Sequence, residues 1–331
     1  LLTNLILVGV DSLLYFYPYK AYAAEALRQG RLPLWNPHLF MGAPLLANSQ
    51  VGLFYPLNWP LLWLEPPKQV AWSIGLHLAL AGLLMLAYTR LSLGLRWTAA
   101  LVAASLFAFG GYLGAQVEHI NQLNAAAWLP LLFLLYDLAQ SRRRWFWSLC
   151  LAVVIALTLL AGHAQTVFIS LFGLGLYALW RAIESGSRGA EGQRGKRAGS
   201  QGAGSKVASR KVANFTQHAS RFTLSASRLT LPTLRSTLHA LLPLAVASLV
   251  AVALAAIQLL PTAELSTLSI RSGGLTYREV VSFSLRPTLL HYALLPPLNL
   301  DLSQVLGEAF GEWVAYLGIS GLLLALLGAL R

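Results

Sequence analysis

Charge is scarce in this sequence: Asp, Glu, Lys and Arg make up 11% of its 331 residues, whereas 56% are hydrophobic. That is about half the charged share of a soluble globular domain, and the apolar residues exceed what one compact core absorbs. Cysteine is scarcer still. The single Cys150 excludes an intramolecular disulfide and any Cys-based metal cluster. No P-loop, dinucleotide fingerprint, HExxH or CxxC occurs, and Glu118-His119 has no second His at a metal-binding spacing. No secretory signal is visible, because Leu1 to Val10 lacks a basic start and a small-residue cleavage site. That stretch reads as the end of a helix already under way. With the closing run stopping at Arg331, the sequence reads as part of something longer.

What the sequence does have is apolar runs long enough to cross the ~30 Å hydrocarbon layer of a bilayer. They fall near 69–89, 98–115, 124–139, 145–161, 164–182, 238–260 and 313–330. The expected fold is therefore an all-α polytopic integral membrane protein. Its N-terminal membrane part covers 1–183, with an outer loop at 11–68 ahead of the spans within 69–182. A basic flexible cytoplasmic linker follows at 184–237. The C-terminal part, 238–331, has an outer loop at 261–312 between spans 238–260 and 313–330. If the first stub exits outward, 17 of the 24 Lys and Arg face the cytoplasm, and the positive-inside rule supports that orientation.

The outer loop 11–68 carries eight of the fifteen prolines and eleven aromatics, so it cannot be one straight helix. A short amphipathic helix, Ala21 to Gln29, is expected there, stopped by Gly30 and followed by aromatic turns at headgroup level. The linker has few residues able to form a core. Its only aromatics are Phe215 and Phe222, so its basic character suits anionic lipid rather than nucleic acid, despite a net charge of +12.

Asp11 is the sharpest residue. It follows an apolar stub at the membrane edge, where a carboxylate is costly unless used or solvated. His38, His119 and His163 fall on the same outer face, the last with Gln165 beside it. Each alone would more often be a satisfied polar residue; three on one face suggest a site. Lys20 and the outer arginines Arg271, Arg278 and Arg286 are able to hold phosphate, although interfacial snorkelling explains any one of them equally well. His77, inside a span, is able to bond a neighbouring helix.

The run Asp11, Tyr17-Pro18-Tyr19, Gly30-Arg31-Leu32-Pro33-Leu34-Trp35-Asn36-Pro37, Gly42-Ala43-Pro44 and Tyr55-Pro56-Leu57 resembles the bacterial YfhO-like membrane proteins, which belong with the GT-C glycosyltransferases. Further matches are Gln116 to His119, Trp128-Leu129-Pro130, Gly162-His163-Ala164-Gln165, Gln258-Leu259-Leu260-Pro261, Ser269-Ile270-Arg271 and Tyr316-Leu317-Gly318. The similarity spans nearly the whole chain outside 184–237. Asp11 is followed by Ser12, where many GT-C proteins have a second acidic residue.

The resemblance implies a GT-C-like multi-helix bundle with short interfacial helices in its long first outer loop. The implied enzyme sits in the bacterial inner membrane and moves a sugar from a polyprenyl-phosphate donor to a glycan or envelope polymer on the outer face. It also implies Asp11 as catalytic base; from their placement His38, His119, His163 and Gln165 are expected to line the same cavity, with Lys20 and Arg271 toward the departing phosphate. Glycosyl transfer needs a carboxylate for the acceptor proton and positive charge or a divalent metal for the departing phosphate. A lipid or solute transporter and a non-catalytic membrane scaffold are the rival expectations; a transporter would place ionisable groups at mid-bilayer.

Overall fold

A computed structural model describes residues 9, 11–39, 41–141, 143–201, 231–269, 272–280 and 319–329. Most of these residues are helical. The helices are α1 Tyr17–Arg28, α2 Pro66–Leu91, α3 Trp97–Ala108, α4 Gly111–Ala115, α5 Ile120–Ala126, α6 Leu129–Ala139, α7 Arg144–Leu160, α8 Ala164–Gln201, α9 Leu231–Leu254, α10 Ala256–Thr267, α11 Tyr277–Val280 and α12 Ile319–Ala329.

Among the described residues five helical stretches are long and apolar enough to cross a membrane: Pro66–Leu91, Trp97–Ala115, Ile120–Ala139, Ala164–Glu184 and Thr237–Leu254. Arg144–Leu160 is a shorter apolar helix. These follow the apolar runs of the sequence because a buried peptide group needs its bonds within the segment, which a helix provides. Two stretches are articulated. Ile120–Ala139 is broken between Ala126 and Leu129, with Pro130 in the first turn of α6, where its missing N–H costs nothing. The helix after the linker turns at Ala255 and resumes as α10, with Pro261 inside it.

The main core lies where α7 packs on α6 and α9, around Leu132, Tyr136, Leu151, Ile155, Leu174 and Ala247. A second apolar cluster joins Phe16 to Val70, Ile74, Leu113 and Leu123. Outward-facing Leu83, Leu101, Val153, Phe168, Phe172 and Leu249 are exposed, as expected of a lipid-facing surface.

Four expectations change. The fold is not wholly helical: Trp35–Asn36 pairs antiparallel with Ala43–Pro44 in a small hairpin. The helix of the first loop starts well before Ala21, because a wide five-residue π-turn, Ser12–Phe16, runs directly into α1, and Pro18 sits in the first turn of that helix. The outer loop expected from residue 261 begins later, since α10 continues to Thr267. The linker boundary also moves. Helix α8 carries on to Gln201, through a stretch that holds five glycines among its Ala, Arg, Glu and Gln residues, and 202–230 lie outside the described residues.

Between α1 and α2 the chain forms a layer across one end of the bundle. The hairpin, the 3₁₀ turn Ser49–Val51 and the 3₁₀ stretch Pro56–Trp63 build it. Its ties are polar. Arg28 bonds the carbonyls of Leu62 and Leu64. Gln258 Nε2 donates to Leu46 O at 2.9 Å, and Thr262 Oγ1 to Ala47 O at 2.8 Å, so α10 is fastened to the same layer. Below it, Trp128 Nε1 donates to Tyr55 OH (2.8 Å), and Tyr55 OH lies 2.7 Å from His77 Nε2, while His77 Nδ1 lies 2.7 Å from Ser73 O. The Ser73 carbonyl can only accept, which puts the ring proton on Nδ1 and makes Tyr55 the donor to Nε2. His77 thus secures the loop to α2 instead of bridging two spans.

Candidate functional site

Three segments that end or begin helices meet at the end of the bundle covered by this layer: the start of the π-turn, the loop 116–119 between α4 and α5, and the turn 161–163 between α7 and α8. The last is held by shape. Gly162 has φ +92, and a Cβ there would lie 2.1 Å from Ser49 O, so only glycine lets this turn close against the 3₁₀ turn. Asn121 Nδ2 reaches the Gly162 carbonyl at 3.5 Å from the α5 side.

Asp11 opens the π-turn, and its Oδ2 lies 3.3 Å from His119 Nε2. Its side chain is 49% exposed against 27% for His119, so the carboxylate faces solvent while the imidazole backs it. Glu118 adds a second carboxylate: its Oε1 accepts the Asp11 backbone N–H at 3.3 Å. Gly9 allows this approach, since a Cβ would sit 2.6 Å from the Glu118 carboxyl carbon. An anion at a helix N-terminus is favoured by the exposed N–H groups there. Behind the pair, His119 Nδ1 is buried and has no hydrogen-bond partner among the described residues. A buried nitrogen left unpaired is uncommon and costly, and such atoms concentrate at sites of function.

His163 completes the group. Its Nδ1 accepts the Thr166 backbone N–H at 3.2 Å and lies 2.7 Å from Thr166 Oγ1, which places the ring proton on Nε2. Burial, and secondarily the neighbouring His119, push its pKa down to about 4, so it is neutral at pH 7. Tyr15, within the π-turn, accepts a bond from Asn48 Nδ2 at 2.6 Å and stacks on Tyr19 with ring centres 4.4 Å apart.

Asp11 and His119 are in contact, and His163 lies near enough to His119 to feel its charge; among the described residues His38 and Lys20 sit elsewhere. His38 lies in the hairpin, edge-on to Tyr22 with ring centres 5.6 Å apart. Tyr22 is eleven residues past Asp11, roughly 16 Å along a helix. Gln165 is exposed on the first turn of α8. Arg271 lies outside the described residues. Lys20 is buried in a cavity of about 20 Å³ lined by Val51, Gly52, Leu53, Asn58 and Gln69. Burial lowers its pKa to about 8, and no ion pair to it occurs among the described residues. Asn58 Oδ1, also in that lining, has no hydrogen-bond partner, and the cavity has room for about one water between the two.

Sequence reasoning missed Glu118, Tyr15 and Asn48. The signal for Glu118 was its adjacency to His119; the other two carry none that the sequence alone reveals. Among the described residues no three His, Cys, Asp or Glu side chains converge as a metal ligand set would. The geometry defines a helical protein with membrane-length helices and a carboxylate–histidine site at one end of its bundle. Comparison with protein-family models, with curated proteins and with solved structures finds no match to the chain.

Proposed function

We propose that the protein is a GT-C-type membrane glycosyltransferase of the YfhO-like kind. It moves a sugar from a polyprenyl-phosphate donor to a cell-envelope acceptor on the outer face of the bacterial inner membrane. The observation that carries this reading is the half-exposed Asp11 carboxylate 3.3 Å from His119, set where membrane-length helices end. A lipid-linked sugar reaches an enzyme laterally from the bilayer, so its reacting carbon arrives at such a boundary.

In this reading the exposed Asp11 carboxylate takes the proton of the acceptor hydroxyl. The oxygen attacks the anomeric carbon, and the carbon–oxygen bond to phosphate breaks with its electron pair leaving on the phosphate. His119 fixes the direction of the carboxylate. Glu118 holds the backbone of Asp11. A transporter gains no support from His77, whose two ring nitrogens are both engaged in structural bonds.

Mass spectrometry of lipid co-purified with the protein tests the reading. A polyprenyl-phosphate sugar bound in near-stoichiometric amount is the expected result; repeated recovery of bulk phospholipid alone would argue against it.

A further inference from the structure

Asn48 has two ends, and the structure commits both. Its Oδ1 accepts the Gln50 N–H at 3.2 Å, capping the 3₁₀ turn Ser49–Val51, so its Nδ2 is the end that faces Tyr15. Nδ2 has only hydrogens to offer, and at 2.6 Å the Tyr15 oxygen must accept. The phenolic proton is then directed elsewhere, and no acceptor for it occurs among the described residues.

The ring that carries this proton is held still. Tyr15 stacks on Tyr19 at 4.4 Å and meets Phe16 edge-on at 5.2 Å. Both Tyr15 and Asp11 belong to the opening turn of the helix, and both are only partly buried. Burial, then the neighbouring Tyr19 and the Asp11 charge, raise the Tyr15 pKa and outweigh the opposite effect of Asn48. The hydroxyl therefore keeps its proton.

We infer that Tyr15 is a substrate-contacting donor of the Asp11 site, presenting its O–H to an oxygen of the glycosyl phosphate bound against Asp11. Asn48 acts through Tyr15, as the positioning residue that turns the proton toward the ligand. The inference rests on the transferase reading and adds to it a group that recognises the donor.

The test uses the full chain in lipid nanodiscs and synthetic undecaprenyl-phosphate glucose as probe. Tyr15→Phe keeps the stacked ring and removes only the O–H, and should weaken probe binding about 10- to 100-fold, the range of a hydrogen bond to a charged oxygen. Asn48→Asp retains the cap on Gln50 but offers Tyr15 an acceptor, drawing the proton away, and should produce a comparable loss. The double variant should bind no worse than Tyr15→Phe alone, since both changes act through one proton. Wild-type binding of the probe by Tyr15→Phe, or losses that multiply in the double variant, would overturn the role of Tyr15 and leave the transferase reading standing. Failure of the unaltered protein to bind the probe would overturn both.

Discussion

The two ends of the bundle each hold a carboxylate, and the difference between them is instructive. Asp137, near the end of α6, is 10% exposed and fully engaged: Tyr177 OH donates to both of its oxygens at 3.0 and 3.1 Å, Ser92 Oγ donates to Oδ2, and Arg181 Nε lies 3.9 Å away. These partners come from α8 and from Ser92 at the end of α2, so with Asp137 itself on α6 the carboxylate binds three helices together. Asp11, about 27 Å distant if His119 and Asp137 are measured along α5 and α6, is half exposed and touches one imidazole. Behind it lies the buried His119 Nδ1, which has no hydrogen-bond partner among the described residues. At the Asp137 end Arg144 Nε is likewise buried without a partner among them. A carboxylate whose bonding capacity is filled serves stability, whereas one left open beside unmet groups is placed for a ligand.

This contrast breaks most readily at Asp137. Asp137→Ala should cost about 3 kcal/mol by stranding Tyr177 and Arg181, seen as a lower melting temperature in detergent with transfer per folded molecule preserved. Equal loss of specific activity would erase the distinction between the ends. Asp11→Asn should do the opposite, lowering transfer ~100-fold at nearly unchanged melting temperature. Near-normal transfer by that variant would remove Asp11 from the chemistry.

Smaller effects sharpen the comparison. Lys20→Met should stabilise by about 2 kcal/mol at neutral pH, because the folded chain holds the lysine at a pKa of about 8 against an ordinary 10.5. The cost of its buried charge is full below pH 8, shrinks between 8 and 10.5 and is gone above. The gain in melting temperature should fade over that window, and a gain independent of pH would sink the explanation. The smallest effect concerns His163, whose pKa drops from 6.5 to about 4 on folding. The unfolded chain takes up the proton first, so stability is complete above about pH 6.5 and declines by about 1 kcal/mol as pH falls toward 4. In His163→Gln that decline should flatten; identical slopes would show another group to be responsible.

The helices were legible because membrane-length apolar runs have few alternative structures: the runs near 69–89 and 164–182 each lie within one helix. The contact of Asp11 with His119 joins two segments that the sequence places at the same end of the bundle. Loop geometry was not legible. Glu118 reaches the Asp11 backbone across 107 residues, and Asn48 reaches Tyr15 across 33, contacts set by how the hairpin layer packs and not by any local pattern. Lys20 was read as a free cation because nothing in its neighbours announces that the chain from Val51 to Asn58 folds over it. Asp137 went unremarked because a carboxylate near a span end resembles a solvated one until Tyr177 and Ser92 are seen around it.

The fastening of α10 to the hairpin layer bears on the order of synthesis. The carbonyls of Leu46 and Ala47 find their partners in Gln258 and Thr262, residues 212 and 215 positions later. While the ribosome is still making α2 through α9, the roof over Asp11 lacks these two bonds. The last ties of the layer therefore form late, and a nascent chain halted before α10 would hold it through Arg28, His77 and Trp128.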